Sequence, residues 1–284
     1  MRDRPPQDPA PIEPANASSA AADFPPLPPA DAVVERREGP SAAPILLLCD
    51  HASNAIPADL GGLGLSDADR NRHIAYDVGA RGVTLALAEA LAAPAILSTF
   101  SRLVIDPNRD ERDPTVLMRL YDRSIIAGNR HADAAEKERR LARFHRPYHR
   151  AVGEAIALAE ATLGRAPLIV SIHSFTAQLA GRPPRPWQVG VLWDQDRATA
   201  QALLARLRAE PDLCVGDNEP YKGALPGDTM DRHGNARNVP HVLIEVRNDL
   251  IDAPASQRAW ARRLAPMIAE LAATAPAGPD AAPR

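Results

Sequence analysis

Short apolar runs alternate with segments of helical periodicity along most of this chain. Runs of four to eight mostly aliphatic residues predict buried strands, and apolar residues spaced three or four apart predict amphipathic helices. The strands are predicted at residues 45–49, 94–100, 168–174, 187–194, 213–218 and 241–248, with 102–106 as a further strand or a continuation of 94–100. The helices are predicted at 78–91, at 129–163 with an interruption near Pro147, at 197–209 and at 256–273. The segment that leads into the first of these helices has a predicted N-cap at Ser66 or Asp67.

This alternation of elements predicts the fold class. Several strand runs consist almost entirely of Ile, Leu and Val, which is typical of strands that are covered on both faces. Alternating strands and helices of this length form layered α/β domains. We therefore predict a three-layer α/β/α domain with a central mixed, largely parallel sheet.

The two ends of the chain differ in composition from its middle. Residues 1–40 and 274–284 are rich in Pro and Ala, and such segments bury too little apolar surface to offset the entropy lost on ordering. We expect disordered tails at both ends and a single α/β domain at 41–273.

Composition and charge exclude several classes of protein. The formal net charge is −3, whereas nucleic-acid binding needs a basic face. No apolar run reaches the roughly 18 residues that span a bilayer, and the N-terminus lacks the apolar core of a secretory signal. Cys49 and Cys214 make no disulfide framework, and we expect both to be buried in a reducing cytoplasm. The sequence predicts a cytoplasmic protein without nucleic-acid or membrane partners and leaves the oligomeric state open.

Three predicted strands end in side chains that suit a metal-dependent hydrolase. His51 follows ILLLC, His173 ends LIVSIH and Glu245 lies in HVLIEV. Ligands of open α/β sheets collect at the carboxyl ends of the strands, so distant segments can converge there. A catalytic zinc ion usually has three protein ligands and one open position. We predict that His51 and His173 are metal ligands; the alternative for each is a hydrogen-bonded structural histidine.

The third ligand is harder to assign from the sequence. The residue three positions after His51 is Asn54, a poor zinc ligand. Asp77, near the start of a predicted helix, can reach back to the same strand end, although a carboxylate there is also favoured by the helix dipole. His73, four residues earlier, is the competing ligand.

The motifs together resemble a known family. They are DHASNAIP, HIAYDVGA, SRLVIDPNRD, FHRPYHRAV, SIHSF, NEPYKG and IEVRND, and they extend over roughly residues 44–268. Their order and spacing resemble the N-formylglutamate amidohydrolase family, and SIHSF and IEVRND also resemble strands of zinc carboxypeptidases. The resemblance implies a zinc-carboxypeptidase-like fold and one Zn²⁺ ion held by His51 and His173, with Asp77 as the third ligand.

Glu245 is the candidate general base. A carboxylate at the end of the apolar run VLIE costs free energy unless it has a partner or a role. Zinc lowers the pKa of a water molecule bound to it. A glutamate can take a proton from that water and give it to the departing amine. The alternative is a structural pair with Arg247, which lies two residues on and so shares its face of the strand.

The segment SRLVIDPNRD offers groups that can bind a carboxylate. A guanidinium meets a carboxylate through two parallel hydrogen bonds. The resemblance implies that Arg109, with Asn108 beside it, holds a substrate carboxylate. Arg102 is a candidate for a second carboxylate or for polarising the scissile carbonyl. The alternative is that these arginines pair with nearby aspartates such as Asp106.

Other polar residues have no assigned role. His145 and His149 are four residues apart, but no Glu accompanies them and Pro147 separates them, so we expect a loop or helix start near the pocket mouth in preference to a second metal site. Asn218, Tyr221 and His233 lie in a Gly- and Pro-rich stretch at 216–240, which is long enough to cover a pocket.

The combined prediction is a zinc amidohydrolase that acts on a small carboxylate-bearing N-acyl amino acid, with N-formyl-L-glutamate as first candidate. The rivals are a hydrolase of another N-acyl amino acid or short peptide, of the aspartoacylase or carboxypeptidase kind, and a non-catalytic metal-binding domain of the same fold. A Cys49-dependent amidase is a remote third, because burial raises a thiol pKa.

Overall fold

The computed structural model describes residues 33–40 and 43–274, which form a layered α/β domain around one seven-stranded sheet. The strands of this sheet are β1 (Val34–Arg37), β2 (Ile45–Cys49), β3 (Ala95–Ser98), β6 (Leu168–Phe175), β7 (Val189–Leu192), β8 (Val215–Asp217) and β9 (His241–Arg247). A small two-stranded sheet pairs β4 (Leu120–Tyr121) with β5 (Ser124–Ile125). The predicted tails at 1–32 and 275–284 lie outside the described residues.

Seven α-helices lie within the described residues. They are α1 (Asp67–Arg70), α2 (Ala80–Leu91), α3 (Ala134–Arg140), α4 (Arg146–Leu163), α5 (Arg197–Arg208), α6 (Thr229–His233) and α7 (Pro254–Thr274). Apolar side chains of α2, α5 and α7 form one core with the sheet, and those of α4 form another with residues of the same strands. The predicted Ser66 N-cap is confirmed, because its hydroxyl accepts the Asp69 N–H at 3.0 Å.

The strand order of the main sheet is β1–β3–β2–β6–β9–β7–β8. The pairs β2–β3, β2–β6, β6–β9 and β7–β8 are parallel, whereas β1–β3 and β7–β9 are antiparallel. The mixed, largely parallel sheet predicted from the sequence is therefore confirmed. The strands β2 and β6 are buried along their whole lengths, as expected for parallel strands with helices on both sides.

Two elements differ from the prediction. Residues 34–37, expected in the tail, form the edge strand β1, so the ordered domain begins before residue 41. Residues 102–106 form turns instead of a strand, and the guanidinium of Arg102 and the carboxylate of Asp106 serve the site described below.

The helix pair predicted at 129–163 is found as α3 and α4, and the interruption expected near Pro147 is a π-helical turn at Leu141–His145. Pro147 itself lies in the first turn of α4, where a missing N–H costs little.

No helix among the described residues is both long enough and apolar enough to cross a membrane.

Candidate functional site

Two histidines and an aspartate from three distant segments meet at the carboxyl ends of β2 and β6. His51 lies two residues after β2, His173 lies in β6, and Asp77 precedes α2. The backbone N–H of Asp77 donates to the carbonyl of His51 at 3.0 Å, which ties the α2 segment to the end of β2. One possible ligand atom from each residue lies within 4.8 Å of the other two. We call His51, Asp77 and His173 the central cluster.

The rings of the central cluster have a defined orientation. Asp77 Oδ2 lies 3.3 Å from Nδ1 of His51 and 2.9 Å from Nδ1 of His173. The opposite ring nitrogens donate to other carboxylates: His51 Nε2 to Asp106 Oδ1 at 2.7 Å, and His173 Nε2 to Asp50 Oδ2 at 2.9 Å. A hydrogen bond from the outer nitrogen to a carboxylate is the usual support of a metal-binding histidine.

Asp50 is held in a fully buried position behind His173. Its carboxylate accepts hydrogen bonds from Tyr148 Oη and Thr229 Oγ1, each at 2.8 Å, and from Ser171 Oγ at 3.0 Å. Burial alone would raise the pKa of Asp50, but the hydrogen bond and charge of His173 hold this pKa below its ordinary value. The aspartate therefore remains an anion that fixes the outer nitrogen of His173.

Asp106 has the same role behind His51. Its carboxylate accepts from Arg102 Nη2 at 2.7 Å and Nε at 3.0 Å, and from the backbone N–H of Asn108 at 2.9 Å. Burial opposes ionisation, but the charges of Arg102 and His51 hold the pKa of Asp106 well below its ordinary value.

Sequence reasoning gave no site role to Asp50 and considered Asp106 only as a partner of Arg102. The sequence did contain a sign of their importance, because each carboxylate follows an apolar run: Asp50 lies between ILLLC and His51, and Asp106 ends RLVID.

Glu245 lies beside His173 on the neighbouring strand. The two residues are register partners in the parallel pair β6–β9. Glu245 is buried, and its Oε2 has no hydrogen-bond partner among the described residues. Burial raises the pKa of Glu245 to about 7, and the negative charge of Asp77 contributes, while the charge of His173 opposes the shift. The alternative pair with Arg247 is wrong, because Arg247 forms its ion pair with Asp249 at 2.8 Å.

The central cluster and Glu245 open into one cavity of about 230 Å³, which Arg102, Asn108 and Arg109 also line. The guanidinium of Arg102 is occupied by Asp106 and lies 3.6 Å from Asp77 Oδ1, so it braces the two carboxylates. Asn108 Oδ1 accepts the backbone N–H of Thr229 at 3.1 Å, which joins the loop to α6. The guanidinium of Arg109 donates to the carbonyl of Asn108.

The competing ligand His73 also lines the cavity but is not part of the central cluster. Its Nε2 lies 3.4 Å from Asp122 Oδ2, and its ring packs edge-on against Tyr121. Burial lowers the pKa of His73. The geometry therefore favours Asp77 over His73 as the residue that shares the cluster with His51 and His173.

His145, His149 and His233 form a second buried group, which we call the loop-supporting cluster. His145 Nε2 donates to the carbonyl of Arg109, and His149 Nε2 donates to the carbonyl of Pro107, each at 2.9 Å. His149 Nδ1 then accepts from His233 Nε2 at 3.0 Å. Burial lowers the pKa of all three histidines, that of His233 to about 4.

The loop-supporting cluster thus holds the backbone that carries Asn108 and Arg109. The predicted helix start is confirmed, because α4 begins at Arg146. The expected position of His145 and His149 near the pocket mouth is wrong, because both are buried and do not line the cavity. The π-helical turn that ends at His145 is a feature often found at functional sites.

The cysteines have different environments. Cys49 is fully buried among aliphatic side chains of the sheet core, and burial raises its thiol pKa well above the ordinary value. It does not line the cavity, which argues against a thiolate nucleophile. Cys214 is exposed, so the prediction that both cysteines are buried is wrong for this one.

These features define an α/β protein with a buried polar site at the carboxyl ends of its parallel strands, the usual place for ligands in such sheets. The family model for N-formylglutamate amidohydrolase matches residues 43–252. The chain belongs to the N-formylglutamate amidohydrolase family and is a hydrolase of that family, as its motifs indicated.

Individual relatives agree with this assignment. The chain is 28% identical over 210 residues to N-formylglutamate deformylase of Pseudomonas aeruginosa, covering 67% of this chain and 74% of the relative. A gene product of Agrobacterium tumefaciens with a known crystal structure superposes with a TM-score of 0.79 at 34% identity, over 85% of this chain and 95% of that one. The N-formylglutamate amidohydrolase of Ralstonia eutropha JMP134 has the same fold, with a TM-score of 0.61 at 24% identity over 85% and 97% of the two chains.

Proposed function

We propose that the chain is a zinc-dependent amidohydrolase that converts N-formyl-L-glutamate to formate and glutamate. The observation that carries the proposal is Oε2 of Glu245, which has no hydrogen-bond partner among the described residues and belongs to a side chain that lines the same cavity as the central cluster. A buried carboxylate oxygen without a hydrogen-bond partner costs stability, and a role in proton transfer accounts for it.

The donor set of the central cluster fits a divalent cation. Both Nε2 atoms donate to carboxylates, so the Nδ1 atoms of the two rings face an oxygen of Asp77. A positive charge is needed among these atoms, and it is supplied either by a proton on a ring or by a cation bound to the Nδ1 lone pairs and the carboxylate. Two imidazoles and one carboxylate are a ligand set of catalytic zinc, which leaves a fourth position open.

His51, Asp77 and His173 would hold the ion. When bound, zinc acts as a Lewis acid that polarises a carbonyl and makes water acidic near neutral pH.

Glu245 supplies the proton transfers of the proposed reaction. Its carboxylate takes a proton from the attacking water and gives it to the amine nitrogen of glutamate as the amide bond breaks. Burial raises the pKa of Glu245 above its ordinary value, which makes the carboxylate a stronger base for the first step.

Arg109 and Asn108 bind the substrate in this proposal. Arg109 lines the cavity, and no carboxylate of the described residues forms an ion pair with it. Its guanidinium can therefore bind a substrate carboxylate through two hydrogen bonds. For Arg102 the alternative of pairing with nearby aspartates applies: its partners are Asp106 and Asp77, and we propose that it orders those carboxylates.

The decisive experiment exchanges Glu245 for Gln, which keeps the shape and removes the base. We expect a fall in kcat of about 10²- to 10⁴-fold, the usual contribution of a general acid–base group, with metal content nearly unchanged. Glu154→Gln, on the exposed face of α4, is the matched control. Activity that survives Glu245→Gln contradicts the assignment of the base and leaves open a binding domain or another mechanism.

A substrate panel tests the acyl group. Formate or acid release is measured from N-formyl-, N-acetyl- and N-succinyl-glutamate and from short peptides, with and without a chelator. Fast turnover of another acyl group without turnover of the formyl compound would reject the substrate and keep the mechanism.

The cytoplasmic location remains a prediction from composition.

A further inference from the structure

Two of the positive side chains of the cavity have no ion-pair partner among the residues that the structure describes. Three arginine and lysine side chains line it: Arg102, Arg109 and Lys222. Arg102 forms ion pairs with Asp106 and Asp77. Neither Arg109 nor Lys222 forms an ion pair with a carboxylate of the described residues, although the charge of Arg109 acts on Asp106 and on Asp228, which also lines the cavity. The cavity therefore offers two cations that a ligand can contact.

Lys222 is one of only two lysines in the chain, the other being Lys137. It is exposed and lies in the loop that follows β8. Arg109 comes from a different loop, the one that follows β3. Two cations on separate loops can contact two separate acidic groups of one small molecule.

The Lys222 loop is anchored at its base by Asn218. This residue has a positive φ of 52°, a conformation that Asn tolerates better than most residues. Its side-chain oxygen accepts the backbone N–H of Trp193 at 2.9 Å and that of Gly223 at 3.0 Å. The side-chain amide thus connects Asn218 and Gly223, which lie on either side of Lys222, to Trp193 at the end of β7.

Close backbone contacts also hold the loop. A Cβ atom on Gly190 would lie 2.1 Å from the carbonyl oxygen of Glu219, and one on Gly223 would lie 2.2 Å from the Trp193 nitrogen. Only glycine permits these approaches. The position of Lys222 at the cavity is therefore a consequence of packing and not of its own contacts.

The neighbouring arginine outside the cavity lining is already occupied. Arg185 Nη1 donates to the carbonyl of Thr176 and to Tyr221 Oη, each at 3.1 Å. Its guanidinium also lies over the Tyr221 ring, 4.9 Å from the centroid. Arg185 thus supports Tyr221, the residue directly before Lys222.

We propose that Lys222 binds the second carboxylate of a dicarboxylic N-acyl amino acid, while Arg109 binds the first. The inference rests on the proposed function and adds its side-chain specificity. An ammonium at the end of a flexible stem is a strongly hydrated point charge, which suits a carboxylate at the exposed side of a cavity. Lys222 selects substrates with an acidic side chain over neutral ones of the same size.

The test compares N-formyl-L-glutamate with N-formyl-L-glutamine, which differ in one charge. In Lys222→Met we expect KM for the glutamate compound to rise about 10-fold or more, the size of one charge-assisted hydrogen bond, with kcat nearly unchanged. KM for the glutamine compound stays within about twofold. Lys222→Arg restores most of the preference, and Lys137→Met on α3 removes the same charge without effect.

The outcomes separate this inference from the proposed function. A wild-type enzyme that hydrolyses N-formyl-L-glutamate, with Lys222→Met changing KM for both compounds equally or for neither, overturns the role of Lys222 alone. A wild-type enzyme that hydrolyses neither compound overturns the proposed substrate and this inference with it. A selective rise in KM, rescued by Lys222→Arg, supports both.

Discussion

The chain has two clusters of buried histidines, and both contact the loop 106–109. In the central cluster each histidine donates its outer nitrogen to a carboxylate, Asp50 or Asp106. In the loop-supporting cluster the histidines donate to backbone carbonyls of Pro107 and Arg109 or to each other. The central cluster also contains an aspartate, and it alone among the described residues has the spacing of a metal site.

The difference teaches that histidine content alone does not identify a metal site. Carboxylates behind the rings favour the positive charge that a cation brings, and they fix which nitrogen faces inwards. Without such carboxylates, burial favours neutral rings, and the pKa of His149 is lowered well below its ordinary value. Neutral histidines are suited to hold a loop, and that loop carries Arg109.

The largest expected effect separates the two clusters by metal content. His173→Ala removes one of the three proposed ligands, so we expect bound metal to fall from about one ion per chain to near zero and turnover to be lost with it. Elemental analysis of the purified, folded protein measures this.

The matched variant for that experiment is His149→Phe, which removes a buried histidine of the loop-supporting cluster. It is expected to retain the metal. Loss of metal from His149→Phe to the same extent as from His173→Ala would contradict the distinction between the clusters.

A smaller effect is expected from the carboxylate behind His173. Asp50→Asn keeps the size of the side chain and removes its charge, so the outer nitrogen of His173 loses an anionic acceptor. Metal affinity should fall about 10- to 100-fold, as is usual for such supporting residues. Competition with a chelator of known affinity measures the change; Asp196→Asn, at the N-cap of α5, is a buried control outside the cavity. Unchanged affinity in Asp50→Asn would show that the carboxylate serves packing only.

The smallest effect concerns the pH dependence of folding stability. Burial lowers the pKa of His233 to about 4 from its ordinary value of 6.5. Its contribution to stability is therefore complete above pH 6.5 and is lost as the pH falls towards 4, because the unfolded chain binds the proton first. From pH 7 to 5 the wild type should lose about 2 kcal/mol more than His233→Gln, as one pKa unit corresponds to about 1.4 kcal/mol.

Urea unfolding at the two pH values gives this difference directly. Titration of groups away from His233 is shared by both proteins and cancels in the comparison, whereas His149, whose pKa is lowered partly by the charge of His233, contributes to the measured difference. Equal losses in the wild type and in His233→Gln would mean that His233 is protonated as readily in the folded chain as in the unfolded one.

Local sequence was sufficient for the framework of the fold. Continuous aliphatic runs such as 45–49 and 168–174 predicted buried parallel strands because both faces of such strands are covered by helices. The edge strand β1 was missed, since VERR is polar and lies next to the Pro- and Ala-rich segment. β1 forms because the backbone of β3 offers it hydrogen-bond partners at the edge of the sheet, and not because its own composition favours a strand.

The candidate site was predictable only in part. Residues at strand ends, His51, His173 and Glu245, follow from the rule that such ends converge. The place of Arg102 does not follow from the sequence, because an arginine near several aspartates has many possible partners. Its pairing with Asp106 and Asp77 is set by the turns at 102–106.

By itself, the sequence determined the α/β class, the family and the residues at the strand ends, because these depend on periodicity and on order along the chain. Only the tertiary structure decided which carboxylates lie behind the histidines, that Glu245 has an unpartnered oxygen, and that Lys222 lies at the cavity. The physical reason is that hydrogen-bond partners and burial depend on distances between segments far apart in sequence, and no local pattern encodes those distances.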